Sequence, residues 1–119
     1  MRFQDLLAYK KSFELAMEIF SISKSFPSEE KYSLTDQIRR SSRSVSANIA
    51  EATRKRKYEK HFVSKLTDSD AENAETQVGL EYANACDYIT KNDLETLTSK
   101  SLEVGKLLNY MMNNPDKFL

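Results

Sequence analysis

Apolar residues recur along the whole chain at intervals of three and four. Between Phe3 and Phe26 they fall at Phe3, Leu6, Tyr9, Phe13, Ala16, Met17, Phe20 and Ile22, the spacing of one side of a helix. A first helix is expected from about Asp5, with Gln4 or Asp5 near its start. Phe26-Pro27 ends it, because the residue before a proline is pushed out of the α region. Ser28 to Lys31 reads as one acid-rich turn with Ser28 as a candidate N-cap. Ser33, followed three residues later by Asp36, signals the start of a second helix over Leu34–Arg54. Its apolar line is thin: Leu34, Ile38, Ser41, Val45, Asn48 or Ile49, and Ala52. Serine is a mediocre helix former, so tertiary contacts must hold this stretch helical, and its small residues let another backbone come close. It is the element around which the others are expected to pack.

Arg54-Lys55-Arg56-Lys57 links to a third helix, expected over residues 58–89. One line on it runs Phe62, Leu66, Ser69, Asn73, Thr76, Leu80, Ala83, with steps that alternate four and three. A second, on a neighbouring face, runs Val78, Tyr82, Ala85, Ile89. The first line turns polar in its middle, as the second helix does, so the two can face each other there. Asn92 with Glu95 forms the expected capping box of a fourth helix, whose seam is Leu94, Leu97, Ser101, Val104, Leu108 and Met111, with Leu107 beside it. Asn113-Asn114-Pro115 stops it. Four amphipathic helices with short links predict an all-α fold, an up-down-up-down antiparallel four-helix bundle, as a single domain over residues 1–119.

Composition sharpens that picture. Two Gly and two Pro in 119 residues leave little material for strand punctuation. Only 39% of residues are hydrophobic, a lean core for a monomer, which favours self-association. The single Cys86 allows no intramolecular disulfide and is expected on the apolar side of a helix as a small hydrophobe. No secretory leader or membrane-length apolar run is present, so no membrane partner and a cytoplasmic setting are expected. The formal charge is zero, yet it is segregated. From Arg39 to Lys65, nine Lys or Arg stand against two acids, a net of +7; from Asp68 to Glu103, nine acids stand against two lysines, a net of −7. Blocks of this kind set local fields that the total conceals.

The catalytic patterns are missing. There is no phosphate-binding glycine loop, no nucleophile elbow and no Cys-x-x-Cys. A di-iron bundle needs paired Glu-x-x-His motifs, and this chain has one histidine, His61, read as an exposed surface residue. The helix 2 serines lack a second histidine to activate them. The reading is that of a non-enzyme, with no catalytic residue, metal or cofactor. Two polar sets remain. Arg39, Arg43, Arg54, Lys55, Arg56, Lys57 and Lys60 are candidates for contacting a phosphate backbone; the alternatives are pairing with the acidic half of helix 3, within or between subunits, or plain solvation. Gln37, Arg40, Ser44, Asn48 and Glu51 share one flank of helix 2. They are placed to hydrogen-bond across helices or subunits, with Asn48 and Glu51 able to accept from an arginine fork.

At this point the sequence resembles a known bacterial family of four-helix-bundle proteins, first named for open reading frames in intervening sequences of 23S ribosomal RNA genes. The shared parts are FQDLLAYKKSFEL (3–15), FPSEEKYSLTDQIRRSSRSVSANIAEA (26–52), Phe62 with Leu66, Glu75, Leu80 with Ala83, and DYI (87–89). The second segment is the most specific. Ala52 stands where the family commonly has Gly, Ser46 where it often has Pro, and Ala71-Glu72 where a Gly-Ser pair is usual. The resemblance implies an up-down bundle that assembles into a ring-shaped homopentamer, without an assigned activity. It adds Glu75 to the helix 2 flank as a motif or interface candidate. A related branch serves diversity-generating retroelements as a basic accessory protein that engages reverse transcriptase and RNA; this neutral chain matches that branch poorly. The expected function is therefore a non-catalytic, ring-forming assembly protein. The alternative is an RNA- or nucleoprotein-binding accessory factor that uses the basic helix 2–helix 3 turn.

Overall fold

The computed structural model describes all 119 residues. Four helices account for the fold: α1 (Leu7–Ser23), α2 (Leu34–Arg54), α3 (Glu59–Ala85) and α4 (Lys91–Asn113). Short 3-10 turns stand at Phe3–Asp5, Ser28–Glu30 and Pro115–Lys117. Neighbours in sequence are neighbours in space, α4 closes back on α1, and no backbone approach spans the diagonals α1–α3 or α2–α4. The result is the expected all-α four-helix bundle, 44 × 25 × 20 Å, with helices at the corners of a square.

The lines predicted for α2 and α4 and the first line predicted for α3 are buried, with Leu94 of α4 half-buried. In α2, Leu34, Ile38, Ser41, Val45, Ile49 and Ala52 are buried, and Ile49 rather than Asn48 fills the inner position. All seven residues of the first α3 line are buried. α1 departs from expectation. Its inward residues are Ala8, Ser12, Leu15, Ala16, Ile19 and Ser23, whereas Phe13 and Met17 point outward. The small Ser12 and Ser23 lie where α1 meets its neighbours, and each hydroxyl bonds to a carbonyl of its own helix. The more conspicuous aromatics are left on the flank.

The core has a polar waist. One apolar cluster, with Val45, Ile49, Phe62, Leu66, Val104 and Leu108, fills the end near the α2–α3 turn. A second, with Leu15, Ile19, Ile38, Leu80, Ile89 and Leu97, fills the other end. Between them lie Ser41, Ser69, Asn73, Thr76 and Ser101, all buried. A buried polar group must find a partner or cost stability, and these do. Ser69 Oγ donates to the Val45 carbonyl (2.8 Å), and Thr76 Oγ1 to Ser41 Oγ (2.9 Å), both joining α3 to α2. Asn73 Nδ2 donates to the Ser101 carbonyl (2.9 Å) while Asn73 Oδ1 accepts from Ser101 Oγ (2.8 Å), joining α3 to α4. The Ile38 side chain packs against the bare Gly79 backbone beside this waist: a Cβ added to Gly79 would stand 3.1 Å from Ile38 Cδ1.

Helix ends differ from the sequence expectation in five places. At the start, a 3-10 turn precedes an extended Leu6, which turns its side chain inward, so α1 begins at Leu7 without a side-chain cap. Ser28 opens its turn without capping it, and Ser33 does not cap α2; instead Glu30, upstream, accepts from the Leu34 amide and from Ser33 Oγ. α3 ends at Ala85 rather than Ile89. There Tyr88 N–H donates to the Ala83 carbonyl (2.8 Å) and Asp87 N–H to that of Asn84 (3.0 Å), with Asp87 left-handed at φ 62°, the pairing of a Schellman motif. This turn leaves Cys86 exposed, not on an apolar side. Finally, the capping box of α4 is Thr90 with Asp93, two residues ahead of the Asn92–Glu95 pair.

Candidate functional site

The α2 flank lies along α3, and its Asn48 and Glu51 are used locally. Asn48 Nδ2 donates to the Ser44 carbonyl (2.9 Å), and Asn48 Oδ1 accepts from Lys65 Nζ (3.3 Å). Lys65 also pairs with Glu51 at 3.5 Å and Asp68 at 3.7 Å. Asn48 and Glu51 therefore meet a lysine of α3 and not an arginine fork. Gln37 and Arg40 are exposed further along the same side, as is Glu75 on α3. Beside them Glu72 has its carboxyl pKa raised, first by burial and then by the charge of Glu75, with Arg40 opposing. Lys65 and Glu72 complete this polar seam; their only sequence signal was the charge boundary on which they stand.

The basic candidates separate into two places. Arg39 and Arg43 lie beside α1: both guanidinium groups stand over the Phe20 ring, at 4.8 and 5.5 Å from its centre, and Arg39 Nε donates to Ser23 Oγ (2.8 Å). Such stacking over an aromatic face is a favourable cation–π geometry. Arg54, Lys55, Arg56, Lys57 and Lys60 cluster at the α2–α3 turn, where Arg56 donates to the Met1 and Thr53 carbonyls. A hollow of about 420 Å³ there is lined by Lys55, Lys60, His61, Ser64, Lys65 and Asp68. All four ion pairs of the chain are made by lysines, Lys11–Glu103, Lys65–Glu51, Lys65–Asp68 and Lys100–Glu18. The pairing of α2 arginines with α3 acids does not occur within the chain.

Two surfaces were not singled out in the sequence. A groove of about 390 Å³ between α1 and α2 is walled by Tyr9, Phe13 and Met17 and floored by Ala47 and Ala50. On the far side, Val78 and Leu102 stand exposed over a hollow of about 430 Å³ between α3 and α4. Sequence signals existed for both: Phe13 and Met17 are four apart on α1, and Val78 and Tyr82 belong to the second α3 line. That line has Val78, Tyr82 and Ala85 exposed, while Ile89, beyond the helix end, is buried. No group of His, Cys, Asp and Glu is arranged to hold a metal ion, and no helix is long and apolar enough to cross a membrane.

An antiparallel bundle with a hydrogen-bonded waist and uncovered apolar flanks defines the class: a small all-α helical-bundle protein. More particularly, the chain belongs to the 23S rRNA-intervening sequence protein family, whose model matches residues 4–110. Among solved structures it is similar to a protein of unknown function from the S23 ribosomal protein family of Bacteroides thetaiotaomicron, at 30% identity and a TM-score of 0.80, covering 90% of this chain and 96% of that one. No curated protein matches the sequence.

Proposed function

We propose that this chain is a non-catalytic assembly protein that forms a ring-like homo-oligomer, a pentamer as the family resemblance implies. The observation that carries this is uncovered apolar surface: Phe13, Met17, Val78 and Leu102 are each about half exposed, the first two side by side in one groove and the last two in another. Contiguous exposed apolar surface on a small domain marks an interaction site. The non-catalytic reading is supported by where the polar side chains go, since Asn48, Ser69, Asn73, Thr76 and Ser101 are engaged in bonds that join helices. An exposed lone thiol at Cys86 suits a reducing, cytoplasmic setting. Sedimentation velocity at low and high salt tests the reading. A multimer is expected in at least one condition, and a monomer in both overturns it.

A second reading has its own support. Arg54, Lys55, Lys57 and Lys60 form no ion pair within the protomer, and Lys55 and Lys60 line an open hollow, which leaves their charge free for RNA or nucleoprotein phosphates. Replacing these four residues by Gln is expected to abolish a salt-sensitive RNA shift while the assembly persists. A shift that survives the replacement rejects the turn as the site.

A further inference from the structure

The two uncovered apolar surfaces lie on opposite faces of the bundle, because α1–α2 and α3–α4 are opposite sides of the square. They are also complementary in charge. The α1–α2 groove carries Arg43 at its rim and no acid. The α3–α4 hollow under Val78 and Leu102 carries Glu81 and Glu95 and no base. Phe13 and Met17 stand 49% and 52% exposed in the first, Val78 and Leu102 48% and 52% in the second, so each face offers two large side chains to an occupant. Beyond the rims, Arg39 lies beside Arg43 over Phe20, and the adjoining hollow on the α3–α4 side carries Asp70 and Glu103 with one base, Lys106.

We infer that the α1–α2 groove of one copy receives the α3–α4 surface of the next, with Arg43 set against Glu81 and Glu95. This rests on the self-assembly reading above and adds which faces meet and in what sense. A groove pairing with its own symmetry mate would bring Arg43 and Arg39 toward their like, whereas groove against opposite face brings apolar wall to apolar wall and base to acid. A contact between two different patches is heterologous: it leaves a free groove at one end and a free surface at the other, and so propagates until rotation closes it into a ring. Removing Phe13, Met17, Val78 and Leu102 from water together supplies the driving force, and the rim charges set the pairing.

Two variants separate the faces. Phe13→Glu with Met17→Glu blocks the groove; Val78→Glu with Leu102→Glu blocks the opposite surface, and the like charges keep the two blocked faces from pairing with each other. All four side chains already face solvent, so each variant is expected to keep its helical circular dichroism and to sediment as a monomer. Mixed in equal amounts, the two should form a 1:1 dimer and nothing larger, because one supplies an intact surface and the other an intact groove. If both variants keep the wild-type assembly size, the interface lies elsewhere and this inference fails while the assembly reading stands. If each is monomeric and the mixture stays monomeric, a heterologous contact is overturned. A wild-type protein that is monomeric throughout removes both readings. Should a charged variant lose its helical spectrum, Ala47→Cys with Leu102→Cys in a Cys86→Ser background reads the same contact. A short bis-maleimide should then link copies into multimers; no multimer beyond that of either single cysteine overturns the inference.

Discussion

Asn73 and Ser101 show how one residue pair can set the register of two helices. Each satisfies the other in both directions, and Gln77 Nε2 adds a donor to Ser101 Oγ (2.9 Å). Removing one partner strands buried polar atoms, so Asn73→Ala and Ser101→Ala should each cost about 1–3 kcal/mol in urea unfolding. The double variant should cost less than their sum, by about 1 kcal/mol or more, the mark of direct coupling. Glu30 acts through pH. The Ser33 hydroxyl, then the Tyr88 hydroxyl, then the Leu34 amide donate to its carboxylate and hold its pKa below the ordinary value. Stability from these bonds is complete above the usual carboxylate range and is lost as pH falls through the lowered folded value. The melting temperature of Glu30→Gln should therefore lie below that of the wild type at neutral pH, the gap closing in acid. Tyr88, pushed up to about 12 first by its bond to Glu30, gives the opposite limb: its contribution holds below the ordinary tyrosine pKa and is lost as pH climbs toward 12. The contact between Tyr88 and Glu30 was not visible in the sequence, since 58 positions separate them and neither residue belongs to a periodic line.

At the scale of elements, periodicity in α2, α3 and α4 revealed the buried faces because those faces combine apolar residues with small ones at unbroken heptad-like steps. It misled in α1, where two apolar stripes lie on one helix and the outward one carries the larger side chains. End signals were less legible because each rival cap has the right chemistry, and geometry decides. Thr90 has the extended backbone that a cap requires, at φ −79° and ψ 164°, and its side chain accepts from Asp93 N–H; Asn92 is already inside the helix. Thr90→Ala should lower stability by about 0.5–2 kcal/mol, while Asn92→Ala should leave the midpoint of thermal unfolding nearly unchanged. The end of α3 was missed because the left-handed position is filled by Asp87 rather than by glycine. Asp87→Gly relieves that strain without altering the turn's backbone bonds and should stabilise by up to about 1 kcal/mol, an increase readable in the same unfolding assay.

For the whole molecule, the fold was legible and the candidate sites only in part. The charge blocks could be counted in the sequence, but which helices carry them to which face depends on the square arrangement of the bundle. Folding divides the basic block, sending Arg39 and Arg43 to the α1 side, Arg40 and Lys65 to the α2–α3 seam, and Arg54, Lys55, Arg56, Lys57 and Lys60 to the α2–α3 turn. The candidate flank from Gln37 to Glu51 proves to be a seam between α2 and α3, held by Lys65 through Asn48 and Glu51.

The polar waist also bears on motion. It leaves the two apolar clusters joined by helix backbone and a few hydrogen bonds rather than by continuous apolar packing, so each end can open as a separate unit. Ile89→Ala, at the end far from the α2–α3 turn, should speed amide hydrogen exchange around Leu34, Leu80 and Leu97 and leave Phe62, Leu66 and Leu108 protected. Uniform loss of protection across all six would show a single cooperative unit instead. With two such units, one end of the bundle can breathe while the other stays shut.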